Sequence, residues 1–396
     1  VSVLSIALYT YSTLPRGSVV HTANLADALH DAGCHVTVYA LDKEKRGFYR
    51  PLRASLCLVP ASATPATTAE LVRVRALELA DHLAHLGASH DIHHAEDCLT
   101  ASGLLELRSR GRPITLVRTV HHVEAFADPF LDACQRRSIL EARLCLAVSQ
   151  ATARDVSRKL GVQTMPITNG VDVERFARVD PRRLARWTQT LYAGSGPVIL
   201  AVGGVEERKN TLGTLRAFVQ VRERFPGARL WILGGATVLD HGDYRAAFDR
   251  ELASLPAPTR GAVTELGVVD EADVPAIFRL ASVLAFPSLH EGFGLAALEA
   301  LAAGLPVVAS HHPPLTEFLD ESCAVLVEPS SPSDIARGLV VALGAPDDGR
   351  RSAGERRARA HSWSRVAMLH LEHYRGLLKS EGAREAPRQN EETGHA

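Results

Sequence analysis

Short apolar runs alternate along this chain with longer segments in which apolar residues recur at helical spacing. The first run, at 3–8, is followed by a helical pattern over 20–32 that Gly33 stops, and then by a second run at 36–40. A short apolar run bounded by turn residues predicts a buried strand, and strands alternating with helices predict parallel βαβ units. Runs at 56–59, 92–94, 114–120, 144–148 and 164–167, separated by periodic stretches such as 69–86, complete one doubly wound half. The opening residues 1–9 have neither a basic n-region nor a small-residue cleavage site, so they read as a first strand and not as a signal peptide.

The pattern breaks across 181–197, first into arginine-rich sequence and then into Tyr192-Ala193-Gly194-Ser195-Gly196-Pro197. A fresh run at 198–202 starts a second half of the same kind, with strands expected at 229–233, 263–266, 283–286, 306–309 and 324–327. The expected organisation is an α/β protein with a Rossmann-like domain over 1–185 and a second over 196–360. A last amphipathic helix is expected over 361–379, after Ser362-Trp363, and the polar tail 380–396 is expected to be disordered.

Composition narrows the class. With 396 residues, 46% hydrophobic and 22% charged, the chain can fill the cores of two or three domains. Lys+Arg 44 against Asp+Glu 45 leaves a formal charge of -1, so no net field favours a polyanion and nucleic acid is not an expected partner. The cysteines at 34, 57, 98, 134, 145 and 323 are scattered with no CxxC pair, which fits a reducing cytoplasm better than a disulfide framework or a zinc site. No run of about 18 apolar residues occurs, so at most peripheral contact with the inner membrane surface is expected. The cluster Arg108-Ser109-Arg110-Gly111-Arg112 reads as a solvated turn ahead of a lipid-phosphate patch.

The most informative stretch runs from Phe286 through Glu291-Gly292-Phe293-Gly294-Leu295 to Glu299 and beyond. A strand enters, a glycine loop turns, and a helix leaves. Gly292 and Gly294 let backbone N–H groups approach an anion, and the helix starting near Leu295 points its positive end at the same place, so phosphate is the natural occupant. Glu299 stands beside the apolar stripe Leu295, Leu298, Leu301 and Ala302, where a buried carboxylate is costly unless a polar partner compensates. With Glu291 on the loop, two carboxylate acceptors around an anion site suit a molecule that combines phosphate with sugar hydroxyls. Gly292 to Ala297 also matches G-x-G-x-x-[GA], but that dinucleotide fingerprint belongs to the first βα turn of a domain, and this loop lies late in the second half.

Glu291 and Glu299, with seven residues between them, resemble the E-x7-E motif of retaining glycosyltransferases of the GT-B fold, specifically glycosyltransferase family 4. The segment from Ala201 to Asn210, with Gly203-Gly204 and Arg208-Lys209, resembles the family's donor-pyrophosphate segment. Asn169-Gly170-Val171-Asp172 is similar to its interdomain N-G-V-D, and Arg118-Thr119-Val120-His121 to its T-x-H. The matches stand in family order and spacing across nearly the whole chain. The resemblance implies a GT-B fold, two Rossmann-like domains facing across a cleft, and transfer of a hexose from a nucleotide-diphosphate sugar to an acceptor hydroxyl with retained anomeric configuration.

It also implies roles. Glu291 meets hydroxyls of the transferred sugar, Glu299 the nucleoside ribose, and backbone groups of Phe293, Gly294 and Leu295 the sugar and phosphate. Arg208 and Lys209 offset the charge of the departing diphosphate, the place at which preplaced cations and a helix N-terminus stabilise a transition state. No metal is then required, and no Asp-x-Asp is present. Gly204 stands where the family often has an arginine, which leaves that role to Arg208; Gly17 offers close backbone approach in the first loop, with Ser18 where a second glycine is usual. His121 contacts the donor sugar near the reacting centre, with His122 as the adjacent alternative. The expected catalytic set is His121, Glu291, Lys209 and Arg208. The donor-binding set adds Gly17, Asn169, Gly203, Gly204, Gly234, Gly292, Phe293, Gly294, Leu295 and Glu299, around a cleft with a hinge near 192–197. Two other readings are a same-fold nucleotide-sugar epimerase or hydrolase and a donor-binding partner subunit without activity. The nucleotide base, the sugar and the acceptor (small molecule, glycan or lipid-linked) are not specified by these motifs.

Overall fold

All of Ile6 to Thr10 is buried in strand β1 (Ser5–Thr10), as expected of a central strand in a parallel sheet covered on both faces. The computed structural model describes residues 3–43, 45–62, 65–191, 196–235 and 242–385. Packing divides the chain into two units. The first comprises Val1–Ala147, Val156–Ile167 and the chain from Ser364 on; the second comprises Val148–Asp155 and Thr168–Trp363.

The first unit carries β1, β2 (His35–Asp42), β3 (Ser55–Pro60), β4 (Ile92–Ala95), β5 (Leu116–Val120), β6 (Leu144–Ala147) and β7 (Met165–Pro166). They form one parallel sheet in the order β3-β2-β1-β4-β5-β6-β7. The second unit carries β8 (Val198–Val202), β9 (Arg229–Leu233), β10 (Val263–Gly267), β11 (Val283–Phe286), β12 (Val307–Ser310) and β13 (Val325–Val327), again parallel, in the order β10-β9-β8-β11-β12-β13. Each predicted apolar run becomes one of these strands. In β8, Ile199 joins the core on one face with Phe218, Leu230 and Leu339, while Leu200 joins the other with Trp231, Phe286 and Leu298. Burial on both faces is why the run is unbroken and does not alternate.

In each sheet the strand order turns back on itself once, between β1 and β4 and between β8 and β11. Loops leaving the carboxyl ends of those neighbours diverge to opposite faces and leave a crevice, the usual ligand position in such sheets.

Packing does not divide the chain at the expected 185–196. Thr168 to Leu191 belongs with the second unit, because Phe176 packs edge-on against Phe278 (5.4 Å) and Arg183 pairs with Asp273 at 2.6 Å, joined there by Arg186. Val148–Asp155 joins the same unit, where Glu317 accepts the amides of Gln150 and Ala151 at 2.8 and 2.7 Å. The last helix runs over Trp363–Glu385, so 380–385 is helical where a tail was expected, and 386–396 lies outside the described residues. From Ser364 on this helix belongs to the first unit, where Tyr374 is fully buried and its hydroxyl meets His94 Nδ1 at 2.6 Å. Of the expected hinge, 192–195 lies outside the described residues.

Candidate active site

In the second unit the loops after β8 and β11 leave the sheet at its turning point. Gly203 and Gly204 have φ of 121° and 75°, and both amides donate to the Leu233 carbonyl, at 2.7 and 3.0 Å. Those N–H groups are engaged at the sheet end, so what the two glycines supply is room. A Cβ on Gly203 would stand 2.8 Å from Lys209 Cε, and one on Gly204 would stand 2.7 Å from the Gly235 carbonyl oxygen. Gly234, with φ of 114°, faces them, and a Cβ there would lie 2.9 Å from the Gly204 nitrogen.

The carbonyl of Arg208 accepts the amides of Leu289 (2.8 Å) and His290 (3.3 Å), tying the two loops together. Lys209 Nζ pairs with Glu291 Oε1 and sits 4.6 Å from the centre of the Phe286 ring. Arg208 forms an ion pair with Glu206 (Nε to Oε2, 2.9 Å) and approaches Glu291 to 3.8 Å, with 44% of its side chain exposed. Burial pushes the Glu291 carboxyl up, but Lys209 and Arg208 outweigh it and hold the group below the usual range. Burial likewise lowers Lys209, against the pull of Glu291. The result is a dry ion pair with a solvent-facing guanidinium beside it, a charge arrangement ready for an incoming anion.

Next along the loop, Phe293 is buried and stacks on Phe318 at 4.8 Å, which pins the turn to the core. Gly294 caps the Leu295–Ala302 helix at φ 110° with no side-chain cap bond; its carbonyl takes the amides of Ala297 (3.0 Å) and Leu298 (3.3 Å), which leaves those of Leu295 and Ala296 to an anion. Its missing Cβ would fall 2.4 Å from Leu315 Cδ2. Glu299, partly exposed, has its carboxyl pushed up to about 8 by burial, against Arg175 and with Glu271 adding to the rise. Arg175 is itself bound to Glu271 at 2.7 Å, so its charge is shared. Among the described residues the Glu299 carboxyl has no hydrogen-bond partner, as expected of an acceptor awaiting one. Asn169 is buried in this unit, and the following Gly170 and Val171 lie against Ser362 and Trp363.

In the first unit Gly17 opens the Gly17–Asp31 helix, and a Cβ there would meet nothing within 4 Å. His121 follows β5 directly. Its Nε2 lies 2.9 Å from Oε2 of Glu96, which follows β4, so the parallel pairing of β4 with β5 puts a carboxylate on the histidine. Glu96 is fully buried, with His21 Nε2 at 3.7 Å and His94 Nε2 at 3.6 Å. Burial, then Arg118 and His122, drive His121 well below the usual imidazole range; burial raises Glu96 against His21 and Arg118. His122 is 61% exposed and pairs with Glu124 instead. The basic turn is paired as well, Arg108 with Glu141 and Arg110 with Asp81 and Glu106.

The structure therefore gathers Gly203, Gly204, Arg208, Lys209, Gly234, Glu291, Gly292, Phe293, Gly294, Leu295 and Glu299 at one sheet end, and places Gly17 and His121 in the first unit. Sequence reasoning missed Glu96, Glu206, Arg175 and Asn210. Asn210 sits at φ 56° and donates from Nδ2 to the carbonyls of Pro287 (3.2 Å) and Pro329 (2.6 Å), joining three strand ends. A polar residue directly after a strand was the available signal for Glu96. Two groups among the described residues bring three metal-ligating atoms within 4.8 Å: His21, Glu96 and His121, and His311, His312 and Glu328. The first is already closed by its own hydrogen bond.

The model of Glycosyltransferase Family 4 matches residues 15–175, and that of Glycosyl transferases group 1 matches residues 196–344. A GDP-mannose-dependent alpha-(1-6)-phosphatidylinositol dimannoside mannosyltransferase of Mycobacterium tuberculosis is 27% identical over 286 residues, 68% of this chain and 71% of that one. D-inositol 3-phosphate glycosyltransferase of Salinispora arenicola is 30% identical over 343 residues, 78% of this chain and 72% of its own. In fold, the chain is similar to sucrose-phosphate synthase from Thermosynechococcus elongatus, with a TM-score of 0.77 at 21% identity over 95% of this chain and 99% of that one. With the two parallel sheets and the motif residues at their ends, these matches show that the chain belongs to glycosyltransferase family 4, the retaining GT-B enzymes that transfer a sugar from a nucleotide-sugar donor.

Proposed function

We propose that this enzyme moves a hexose, mannose being the first candidate, from a nucleoside-diphosphate sugar to a hydroxyl of an inositol-type acceptor that carries phosphate. The observation that carries the donor half is the Lys209–Glu291 pair with Arg208 beside the open N-terminus of the Leu295–Ala302 helix. The sugar and acceptor are supported by the relatives, one named for GDP-mannose and phosphatidylinositol dimannoside and one for inositol 3-phosphate. In this reading the bond from the sugar's C1 to the phosphate oxygen breaks, a bond from C1 to the acceptor oxygen forms, and the acceptor's proton leaves with the diphosphate. Negative charge grows on the departing oxygen, and Arg208, Lys209 and the helix amides meet it. Glu291 and neutral His121 hold sugar hydroxyls, and Glu299 holds the ribose. Among the described residues no helix is long and apolar enough to cross a membrane.

Saturation-transfer NMR against GDP-mannose, UDP-glucose and other nucleotide sugars identifies the donor, and product analysis with inositol phosphates and phosphoinositide vesicles identifies the acceptor. A glycosylated acceptor plus nucleoside diphosphate is expected. A new nucleotide sugar without acceptor product, or binding with no turnover on any acceptor, contradicts the reading.

A further inference from the structure

His311 and Glu328 each follow the last residue of a strand, β12 and β13, and those last residues, Ser310 and Val327, are register partners. The parallel pairing therefore brings both side chains to one sheet end, and His312 joins them with its ring 4.2 Å from that of His311. Nε2 of His311 and Nε2 of His312 both lie 3.7 Å from Glu328 Oε2. That separation is too long for a hydrogen bond. It is close to the edge of a tetrahedron of ligands around one ion, about 3.3–3.4 Å when each bond is about 2.0–2.1 Å.

The surroundings fix the donor atoms of His311 and Glu328. His311 Nδ1 lies 3.0 Å from the Val327 carbonyl, which only an N–H can satisfy, so Nε2 is the bare nitrogen. The Ser330 hydroxyl and amide both donate to Glu328 Oε1, leaving Oε2 as the oxygen that faces the two rings. All three side chains are 39–47% exposed, which gives an ion a way in and water a place to complete its shell.

We propose that His311, His312 and Glu328 form a binding site for one divalent ion of the zinc class, an N2O donor set closed by water. Imidazole and carboxylate together suit zinc or copper(II) and not magnesium. The site is separate from the groups assigned to transfer. It is joined to them through Pro329, whose carbonyl accepts Asn210 Nδ2 next to Lys209, so a bound ion would clamp β12 and β13 beside the donor loop.

The test is cobalt(II) and zinc titration of the untagged full chain, followed by visible absorption and calorimetry, with a thermal melt of each form. One equivalent with a dissociation constant of about 10 μM or tighter, four-coordinate cobalt bands and a raised Tm are expected. His311→Ala with His312→Ala should abolish that equivalent, and Glu328→Gln should weaken it at least tenfold, while circular dichroism of the metal-free variants stays that of the parent. Binding only at millimolar metal, or one tight equivalent that survives in the double variant, overturns the proposal. Because the readout is metal binding, it is independent of whether a donor or acceptor has been identified.

Discussion

His121 Nε2 meets Glu96 Oε2 at 2.9 Å, although the two residues leave different strands and Glu96 is wholly enclosed. With the imidazole driven toward its neutral form, a carboxylate at Nε2 keeps the N–H on that nitrogen and leaves Nδ1 as an acceptor for a sugar hydroxyl.

Replacing Glu96 with Gln keeps the shape but removes this control. kcat should fall at least tenfold, with the affinity for nucleoside diphosphate within twofold of the parent. An unchanged kcat in a folded variant would leave Glu96 as a packing residue only.

His121→Ala should slow transfer by a factor of tens or more, about 2 kcal/mol in barrier. The diphosphate lacks the sugar that His121 meets, so its dissociation constant should stay the same. His122→Ala, at an exposed position paired with Glu124, should retain the parent rate; initial rates and titrations on one preparation check both.

Glu299 sets a pH dependence. Its carboxyl, pushed up to about 8, is largely protonated at pH 7 in the free enzyme, and the ionised form is the stronger acceptor for ribose hydroxyls. Diphosphate binding should therefore release a proton and tighten as pH rises from about 6.5 to 8.5. Calorimetry in buffers of different ionisation enthalpy measures the release. Glu299→Gln should weaken binding by about 1–3 kcal/mol and flatten the pH slope.

Lys209 acts on stability as well as on the donor. Because Glu291 is held below its unfolded value, the pair stabilises the fold above pH of about 4.5, and that stability is lost as pH falls through the depressed folded value. Lys209→Met should thus lower Tm at pH 7 and converge on the parent in acid. Diphosphate binding should weaken, and transfer in excess EDTA by the parent should continue, since the cations that meet the leaving group are side chains.

The strands were legible because central parallel strands are apolar on both faces, as 198–202 and 283–286 are. The glycine loop and its helix were legible because an anion site at a helix start has a local spacing. The unit boundary was not: the arginines of 181–191 look solvated in sequence, and only the fold supplies Asp273 to Arg183 and Arg186. Glu96 with His21, His94 and His121 was hidden for the same reason, since these residues meet only when strand order brings β1, β4 and β5 side by side.

The buried contact between His94 and Tyr374 joins residues 280 positions apart. On a ribosome adding about 5–20 residues per second, the tyrosine emerges on the order of 14–56 s after the histidine. For that interval the first sheet is without its last helix, while nearly all of the second unit, Thr168–Trp363, is one unbroken stretch synthesised before that helix is complete. The half whose synthesis begins first is thus the half whose sheet is the last to receive all of its cover.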